Sequence, residues 1–572
     1  MPINSFWTAN DKIPIAQKRV SVPSENGLEY GAGQKIVIDI PPTIQYIQPR
    51  ESYLQLDVKL AVPAGENARL MLDSTLGGQV LLRDVRVYSG GVGNVLLEEY
   101  QNYNVITALK YDYETNDTLR AKRALTEGAQ THSIECRGSM GTTTSHQNDC
   151  ATNPYFKAHA GTAANTFDND DFKTVKCLLP INTGIFSNDK VFPVLMTEGL
   201  KLEIILERDV NVFRNLDQSV KQRKLQSNPL FHSINGSDTA PTNASTVGTF
   251  TSFYVTRDNN MTGTPQFPFV VGQKIGFQKT DGTDTTTFTV APVISQIELD
   301  AAAGDFGLVK ITVSPAMNIA TLPPTNREFV LWSETVFTVA PTYTVSNVEL
   351  ILQQLTMPDG YTRKMMGMMK EGGSMNYDFL SFTNYKYSQL SSDTVANIRL
   401  PFSQSRAKAV LCIPTDATNR TSQASIQGNG TYLINSEPHD VRNHTDRSGL
   451  VGITDNLQNY QFFYDGKLNP SRKVSTSKLA AKNSIDQVPL IELEKALAQS
   501  KIIPYSFRSF QSNFCVGRAL SLQDGVYDTR NKDFNLQVEY SGTGGDFNKL
   551  WNCWISHIRT IVFAGGGIQV LI

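Results

Sequence analysis

Histidine and carboxylate side chains that could bind a metal ion occur together at one place in the sequence. His439 and His444 stand among Glu437, Asp440 and Asp446 in the run EPHDVRNHTD. Imidazole and carboxylate groups are suitable zinc ligands, but this spacing matches none of the strong zinc patterns. We interpret the run as a solvated loop, with a metal site as the weaker alternative.

A second acidic group has the residue types that calcium prefers. Asp168, Asp170 and Asp171 lie within four residues of one another in the run FDNDDF. An EF-hand loop also needs a central glycine and a terminal glutamate, and both are missing here. Exposed negative charge is therefore the better interpretation, and calcium binding stays an alternative.

Signatures of phosphate binding and of nucleophilic catalysis are incomplete or missing. Gly90, Gly91 and Gly93 lack the rest of a dinucleotide fingerprint, and the sequence contains neither a GxxxxGK[ST] loop nor a GxSxG elbow. The adjacent Glu98 and Glu99 could serve a glycosidase, but nothing around them indicates a substrate groove. We predict a protein that is not an enzyme. We assign no catalytic, cofactor-binding or metal-binding residue and expect no cofactor.

Length and charge limit the remaining classes of protein. A chain of 572 residues exceeds what one hydrophobic core usually organises, which predicts two or more domains. Its net charge of -2 gives no general attraction to nucleic acid or to an anionic membrane. The cations near the start of the chain, Lys12, Lys18 and Arg19, are too few for a packaging arm. No specific nucleic-acid binding is expected.

The cysteines and the apolar runs indicate a reducing compartment. The six cysteines are widely spaced without a CxxC pair, so we predict isolated buried thiols. The first twenty residues lack an apolar core of signal-peptide length, and no run of 18 apolar residues occurs. Neither secretion nor membrane spanning is expected. The cysteines are Cys136, Cys150, Cys177, Cys412, Cys515 and Cys553.

Alternation of apolar and polar residues dominates both halves of the sequence and predicts β-strands. Helix signals are limited to Leu96–Ala108 and Pro489–Gln499, and many strands with few helices favour sandwiches or barrels. Asp-Gly pairs predict turns. The clearest strand predictions are 53–60, 200–206, 348–352 and 536–540, and the Asp-Gly pairs begin at Asp281, Asp359, Asp465 and Asp524.

Composition changes indicate how the chain is organised. Residues 215–341 are rich in Thr, Asn, Gly and Ser but keep strand-like runs, which predicts an inserted β-rich module. The polar stretches 133–171 and 415–459 are predicted as long loops. The methionine-rich segment Met357–Met375 is typical of neither a strand nor a helix, and we place the domain junction there.

Six runs, taken in order, resemble the double jelly-roll major capsid proteins of eukaryotic double-stranded DNA viruses, nearest to those of polinton-like viruses and virophages. LGGQVLLRDVRVY, LLEEYQNY and LPINTGIFSNDKVFPVLMTEGLKLEIIL resemble the first jelly roll. YDGKLNPSR, GVYDTRNKDFNLQVEY and HIRTIVFAGGGIQV resemble the second. The runs span some 500 residues of the chain, whereas 215–341 and the polar loops contribute little to the resemblance. No internal repeat is visible in the sequence.

The resemblance implies an all-β chain of two tandem eight-stranded jelly-roll sandwiches with long loop insertions and few short helices. Residues 1–19 would form an N-terminal arm, and 20–356 would form the first jelly roll. The module at about 215–341 would be inserted in that roll as a candidate tower. Residues 357–572 would form the second jelly roll.

The resemblance also implies self-assembly. Three copies would form a pseudo-hexagonal capsomer, and neighbouring capsomers would tile an icosahedral virion shell assembled inside the infected cell. A penton protein and minor or cement capsid proteins would be further partners, while contact with an internal membrane is left open. Two alternatives remain from other classes: a sugar-binding or adhesin-like β-sandwich whose ligand-binding part is 215–341, and a glycoside hydrolase.

Overall fold

The computed structural model describes most of the chain outside the polar stretches. The described residues are 16–61, 70–129 without 74, 92, 115 and 116, 174–212, 342–417, 450–476 without 456, 488–500, 513–520, and 525–572 without 541, 543, 546 and 566. Between 214 and 332 the short strands named below are described.

Strands make up most of the described chain. The strands before the inserted module are β1 (Ala16–Pro23), β2 (Glu29–Gly31), β3 (Lys35–Ile40), β4 (Tyr46–Ala61), β5 (Leu70–Met71), β6 (Leu82–Ser89), β7 (Leu96–Tyr100), β8 (Thr174–Pro180), β9 (Leu200–Leu206) and β10 (Arg214–Asn215). Those within it are β11 (Arg223–Lys224), β12 (His232–Ser233), β13 (Thr242–Asn243), β14 (Gly248–Thr256), β15 (Gly276–Lys279), β16 (Thr285–Thr286), β17 (Val293–Leu299), β18 (Leu308–Ile319) and β19 (Phe329–Trp332). Those after it are β20 (Thr342–Thr356), β21 (Ser374–Gln389), β22 (Val395–Arg399), β23 (Ala407–Asp416), β24 (Leu457–Tyr464), β25 (Lys467–Ser475), β26 (Val516–Ala519), β27 (Phe534–Tyr540), β28 (Lys549–Ala564) and β29 (Gly567–Leu571).

Helices are few in the part of the chain that the structure describes, and most are short. They are α1 (Tyr103–Tyr113), α2 (Asp117–Glu127), α3 (Asp209–Val212), α4 (Asp359–Lys370) and α5 (Val488–Gln499). None of these described helices has the length and hydrophobicity needed to span a bilayer.

The strands up to β20 form one complete jelly roll, which we call the first roll. One sheet has the order β1-β20-β4-β8 and the other the order β3-β9-β6-β7, and every pairing is antiparallel. Counting the eight strands along the chain, the sheets therefore combine strands 1, 8, 3, 6 and strands 2, 7, 4, 5. This is the double Greek-key order of a jelly roll.

The strands from β21 onward repeat that order and form the second roll. Its sheets are β21-β28-β23-β26 and β22-β27-β24-β25, again strands 1, 8, 3, 6 and strands 2, 7, 4, 5. The last strand, β29, folds back onto β28. The prediction of two tandem eight-stranded jelly rolls is confirmed by this strand order, although the two halves show no visible repeat in sequence.

The connection between β9 and β20 carries additional sheets. Its strands pair in the orders β11-β19-β15-β16 and β13-β12-β14-β18-β17, and β10 pairs with β5. The connection leaves the first roll after β9 and returns at β20, so it is an insertion between the seventh and eighth strands.

The longest connections lie at one end of each roll. In the first roll this end is marked by the pair Ala61 and Thr342, which lie opposite each other in β4 and β20. In the second roll it is marked by the pair Asp416 and Lys549 of β23 and β28. We call these the long-connection ends. At the other ends, β20 leads into α4 and the longest connection within a roll is 181–199. The strands at the long-connection ends are joined through 101–173, 207–341, 417–456 and 476–515.

The core follows the alternation seen in the sequence. In β9 and β27 every second residue is buried, as predicted for 200–206 and 536–540. The predicted strands 53–60 and 348–352 lie within β4 and β20. Trp551 and Trp554 of β28 are fully buried core residues. One contiguous apolar cluster includes residues from both rolls.

Two local assignments from the sequence are wrong. The segment predicted as a helix over Leu96–Ala108 begins as strand β7, because its residues pair with β6, and the helix starts at Tyr103 after Asn102 adopts a positive φ of 50°. The segment Met357–Met375 contains helix α4. Its start suits a helix, because Pro358 precedes it and Asp359 lies in the first turn. The predicted helix Pro489–Gln499 is confirmed as α5.

Two Asp-Gly pairs of the chain adopt different conformations and provide a matched test. Gly466 has a φ of +71° in the hairpin turn between β24 and β25, whereas Gly360 lies in α4, and an added Cβ would meet nothing within 4 Å at either position. Gly466→Ala should lower the free energy of unfolding by about 1 kcal/mol, and with it Tm, because alanine disfavours a positive φ. Gly360→Ala should raise it by a similar amount, since alanine favours a helix. Thermal unfolding followed by circular dichroism measures both, and shifts of the same sign would contradict the assigned turn.

Candidate functional site at the contact between the rolls

The two rolls meet along one edge of the first and one sheet of the second. The edge strand β7, helix α1 and the connection 181–199 lie against β21 and β28. Aromatic rings cross the boundary: the centroids of Tyr100 and Phe382 are 6.1 Å apart, and those of Phe192 and Tyr377 are 5.0 Å apart. The contact is therefore part of the protein core and fixes the rolls relative to each other.

A fully buried carboxylate lies at the centre of this contact. Glu98 accepts hydrogen bonds from the backbone N–H groups of Gly184 (2.8 Å) and Ile185 (3.0 Å). It also accepts one from the hydroxyl of Ser381 (2.9 Å) in the second roll. Burial raises the pKa of Glu98, while these hydrogen bonds and the charge of Arg559 act in the opposite direction. One side chain of β7 thus joins three segments of the molecule.

Glycine is required where the connection 181–199 passes this carboxylate. A Cβ on Gly184 would lie 2.2 Å from the carbonyl oxygen of Leu380 and 2.5 Å from Oε1 of Glu98. Both distances are far shorter than any real contact. The lack of a side chain at Gly184 is what allows the backbone of the first roll to approach β21 so closely.

Basic groups of β28 complete the buried polar cluster. Arg559 is 7% exposed and donates from Nη2 to the carbonyl oxygen of Leu96 (3.4 Å). His557 is fully buried, with Nε2 2.9 Å from the hydroxyl of Thr383. Burial and the charge of Arg559 lower the pKa of His557 to about 3, so its imidazole is neutral in the folded protein.

Amide side chains extend the contact toward the long-connection ends. Asn102, at the start of α1, donates to Oδ1 of Asn552 in β28. Asn384 of β21 donates to the same oxygen and to the carbonyl oxygen of Gln101, each at 3.3 Å. Leu96 contacts Arg559 toward one end of β28, and Asn102 contacts Asn552 near the other end. The long-connection ends of the two rolls therefore lie on the same side of the molecule.

The last turn of α1 is held by the second roll as well. Asn513 donates from Nδ2 to Asp112 (2.8 Å) and accepts at Oδ1 from the backbone N–H of Gly452 (2.7 Å). The hydroxyl of Tyr113 donates to the carbonyl oxygen of Asn513 (3.4 Å). These contacts join segments that are about four hundred residues apart in the sequence.

A polar cleft of about 750 Å³ opens beside the contact. Two of its acidic groups are engaged in ion pairs, Asp189 with Arg50 and Asp378 with Arg406. The ammonium of Lys110 lies 4.6 Å from the ring centroid of Phe382, and burial lowers the pKa of Lys110. The cleft between the rolls is thus lined by two ion pairs and a buried lysine.

The candidate residues from the sequence are not brought together into a site. Glu98 is buried in the contact, whereas Glu99 forms an ion pair with Arg86 (2.8 Å) on the other face of β7, so the two carboxylates do not share a cleft. Gly90 and Gly91 pack closely against Glu198 and Gly199. Among the described residues, no group of three or more His, Cys, Asp or Glu side chains is placed to hold a metal. The clusters at His439 and His444 and at Asp168, Asp170 and Asp171 lie outside the described residues.

The four cysteines among the described residues are buried, but two of them are neighbours. Cys177, Cys412, Cys515 and Cys553 are free and buried, in agreement with the prediction of buried thiols. Cys412 of β23 lies directly opposite Cys553 of β28, so the prediction of isolated thiols is wrong for this pair. Cys136 and Cys150 lie outside the described residues.

Sequence reasoning missed the role of Glu98 and Gly184. The one available signal was a carboxylate placed within the apolar run LLEEY, which implies burial with dedicated partners. Those partners come from distant segments, and nothing local in the sequence identifies them.

No protein-family model and no curated protein matches this sequence. Solved structures similar to the chain include PBCV-1 VP54 fitted into a reconstruction of the virophage Sputnik, with 10% identity, coverage of 99% of each chain and a TM-score of 0.48. The Faustovirus major capsid protein shares 8% identity over 97% of this chain and 92% of its own, with a TM-score of 0.48. The mavirus major capsid protein shares 9% identity over 100% of this chain and 94% of its own, with a TM-score of 0.39. The assignment of the fold rests on the strand order described above.

Removing the central carboxylate should weaken the contact much more than removing its neighbour. Glu98→Ala leaves two buried N–H groups and the hydroxyl of Ser381 without their acceptor, which should lower the free energy of unfolding by about 3 kcal/mol. Glu99→Ala removes a partly exposed ion pair and should cost about 1 kcal/mol or less. Urea unfolding followed by tryptophan fluorescence compares the two variants. Equal losses would show that the contact does not depend on Glu98.

The buried imidazole should make the protein sensitive to acid. An unfolded histidine titrates near pH 6.5, but folded His557 titrates at about 3, so between these values the unfolded chain binds a proton that the folded chain does not. Stability should therefore fall as the pH falls, with His557 contributing about 2 kcal/mol between pH 7 and pH 5.

The variant His557→Gln isolates that contribution. Its urea midpoint should fall less than that of the wild type when the pH is lowered from 7 to 5, because glutamine does not titrate. Parallel pH profiles for the two proteins would contradict the assignment of a buried neutral imidazole.

Proposed function

We propose that this chain is the major capsid protein of a double-stranded DNA virus. The observation that carries the proposal is the presence of two complete jelly rolls with the same strand order, joined in one chain by a buried contact. The six sequence runs that resemble double jelly-roll capsid proteins fall within these rolls and support the same conclusion.

The geometry of the contact suits a building block. A chain with two similar sandwiches at a fixed angle presents two nearly equivalent units, so three copies place six such units around one axis. Closed rotational symmetry of this kind gives a capsomer with an almost hexagonal outline. A flexible hinge between the rolls would spoil this outline, and the cluster around Glu98 supplies the required rigidity.

The two ends of the rolls suit different environments. We place the long-connection ends on the outside of the shell, where long loops are tolerated and can contact other molecules. The module at 215–341 would then project as a tower. The start of β1 at Ala16, helix α4 and the last strand lie toward the other end and would face the interior. We propose the same side for the N-terminal arm 1–19. In this proposal residues 20–356 and 357–572 are the two structural domains.

The proposal defines the partners of the chain. Contacts within a capsomer should be large and apolar, and contacts between capsomers smaller and more polar. Neighbouring capsomers, a penton protein and minor or cement proteins would complete a virion shell. The proposed role is structural, without catalysis or a cofactor.

The mass of the purified protein in solution tests the proposal directly. Three copies of the 63.3 kDa chain should give a particle of about 190 kDa by light scattering. Negative-stain images of the same fraction should show a six-cornered outline. A folded single subunit that stays unassembled when it is coexpressed with a candidate penton protein would count against the capsid. A glycan-array signal from such a monomer would favour the sugar-binding alternative.

A further inference from the structure

A lysine and an aspartate form an ion pair that is completely removed from solvent at the long-connection end of the second roll. Nζ of Lys549, at the start of β28, lies 2.6 Å from Oδ2 of Asp455, and both side chains are 0% exposed. By comparison, the side chains of Arg86 and Glu99 in their ion pair are 31% and 27% exposed. Burying two full charges is costly, so these surroundings favour the neutral amine and the neutral carboxylic acid.

The backbone and an aromatic ring enclose this pair. A Cβ on Gly545 would lie 2.3 Å from Oδ2 of Asp455 and 2.4 Å from Nζ of Lys549, so the chain at Gly545 lies directly against both groups. The ring centroid of Tyr540 is 4.5 Å from Nζ. Nζ donates to the carbonyl oxygen of Phe547 (2.9 Å), and the backbone N–H of Phe547 donates to Oδ2 (3.2 Å). The two reactive groups are therefore held in one orientation.

We propose that Lys549 and Asp455 react with each other to form an isopeptide bond, an amide that joins Nζ to Cγ. A lysine amine becomes a nucleophile when it is desolvated and neutral. Fixing it against the carboxyl group replaces an encounter between two molecules by a step within one. Exclusion of water protects the amide once it has formed. The enclosed pair meets all three requirements.

The reaction is a condensation that releases one water molecule. A proton first passes from the ammonium to Oδ2 along their hydrogen bond, which leaves an amine and a carboxylic acid. Nζ then attacks Cγ, and negative charge develops on Oδ1. A second proton passes from Nζ to Oδ2, the bond between Cγ and Oδ2 breaks, and water leaves. The third proton stays on the amide nitrogen, and no oxidant or other reactant is consumed.

A second buried carboxylate is placed to relay the second proton. Asp416 of β23 lies directly opposite Lys549 in the sheet and is 4% exposed. Residues directly opposite each other in antiparallel strands have their Cβ atoms about 5 Å apart on the same face. A carboxylate in this position can accept a proton from Nζ and return it to the departing oxygen.

The bond would fasten a long connection to the sheet. Asp455 stands near the end of the connection 417–456, and β28 lies between β21 and β23 in its sheet. A covalent link of this kind stabilises a fold by restricting the unfolded chain. The inference concerns one chain alone and does not depend on assembly or on the proposed function.

The mass of the intact, denatured protein tests the proposal. The wild type should be lighter than its sequence by the mass of one water molecule, because the condensation releases water. Lys549→Met and Asp455→Ala should each show the full mass of their sequence, since one partner is missing. Lys35→Met is the matched control: it removes a more exposed ion pair, between Lys35 and Glu203 (3.1 Å), and should keep the deficit.

Peptide mapping locates the bond. Trypsin does not cleave after a lysine whose amine is acylated, so Lys549 should stay uncut and a branched peptide should join 448–467 to 533–559. Asp416→Asn keeps both partners and should contain a larger unlinked fraction, because the relay is lost. An unchanged fraction would overturn the assignment of Asp416.

The wild-type protein alone decides the outcome, even if the variants fail to fold. A wild-type mass equal to that of the sequence, with cleavage after Lys549, would overturn the proposal. A water deficit that maps to an Asp-Gly pair such as Asp465-Gly466, where aspartate can cyclise on its own backbone, would overturn it as well. In either case the capsid proposal would stand or fall separately, on the mass of the native particle.

Discussion

The architecture depends on burying a carboxylate between two sandwiches and surrounding it with hydrogen-bond donors. A carboxylate removed from water is tolerated when donors surround it, and Glu98 finds them in two backbone N–H groups and the hydroxyl of Ser381. These donors belong to different segments, so none can move independently. The angle between the rolls is fixed by this requirement, and the apolar packing around it, such as Tyr100 against Phe382, follows the same geometry.

Local patterns in the sequence identified the frame of each roll. The period-two alternation of 200–206 and 536–540 corresponds to strands buried on one face, and Asp465-Gly466 forms the tight hairpin expected of that pair. Alternation fails where both faces are covered, as in β23, whose ten residues are all buried. The jelly-roll architecture was predicted from the resemblance to capsid proteins and not from local patterns, since pairing between β1 and β20 joins residues more than three hundred positions apart.

The candidate site shows the limit of local reasoning. In sequence, Glu98 and Glu99 are adjacent acids after an apolar run, and a glycosidase was only a weak alternative because nothing around them indicates a substrate groove. The two side chains have different environments because neighbouring residues of a strand point to opposite faces. Helix α4 was missed for a related reason: its four methionines lie beside glycines, and only the junction between β20 and β21 places Met365 in the core.

The position of the long connections determines where the chain tolerates changes in loop length and where it does not. Strand registers are set by pairing within each roll, and the entropy of closing a loop grows slowly with its length, so segments such as 417–456 can be lengthened or replaced at little cost to the frame. Substitutions at the short-connection ends would disturb helix α4, which links the rolls, or the tightly packed connection around Gly184. Sequence divergence and engineered peptide display should therefore accumulate at a single pole of the molecule, while the opposite pole evolves slowly.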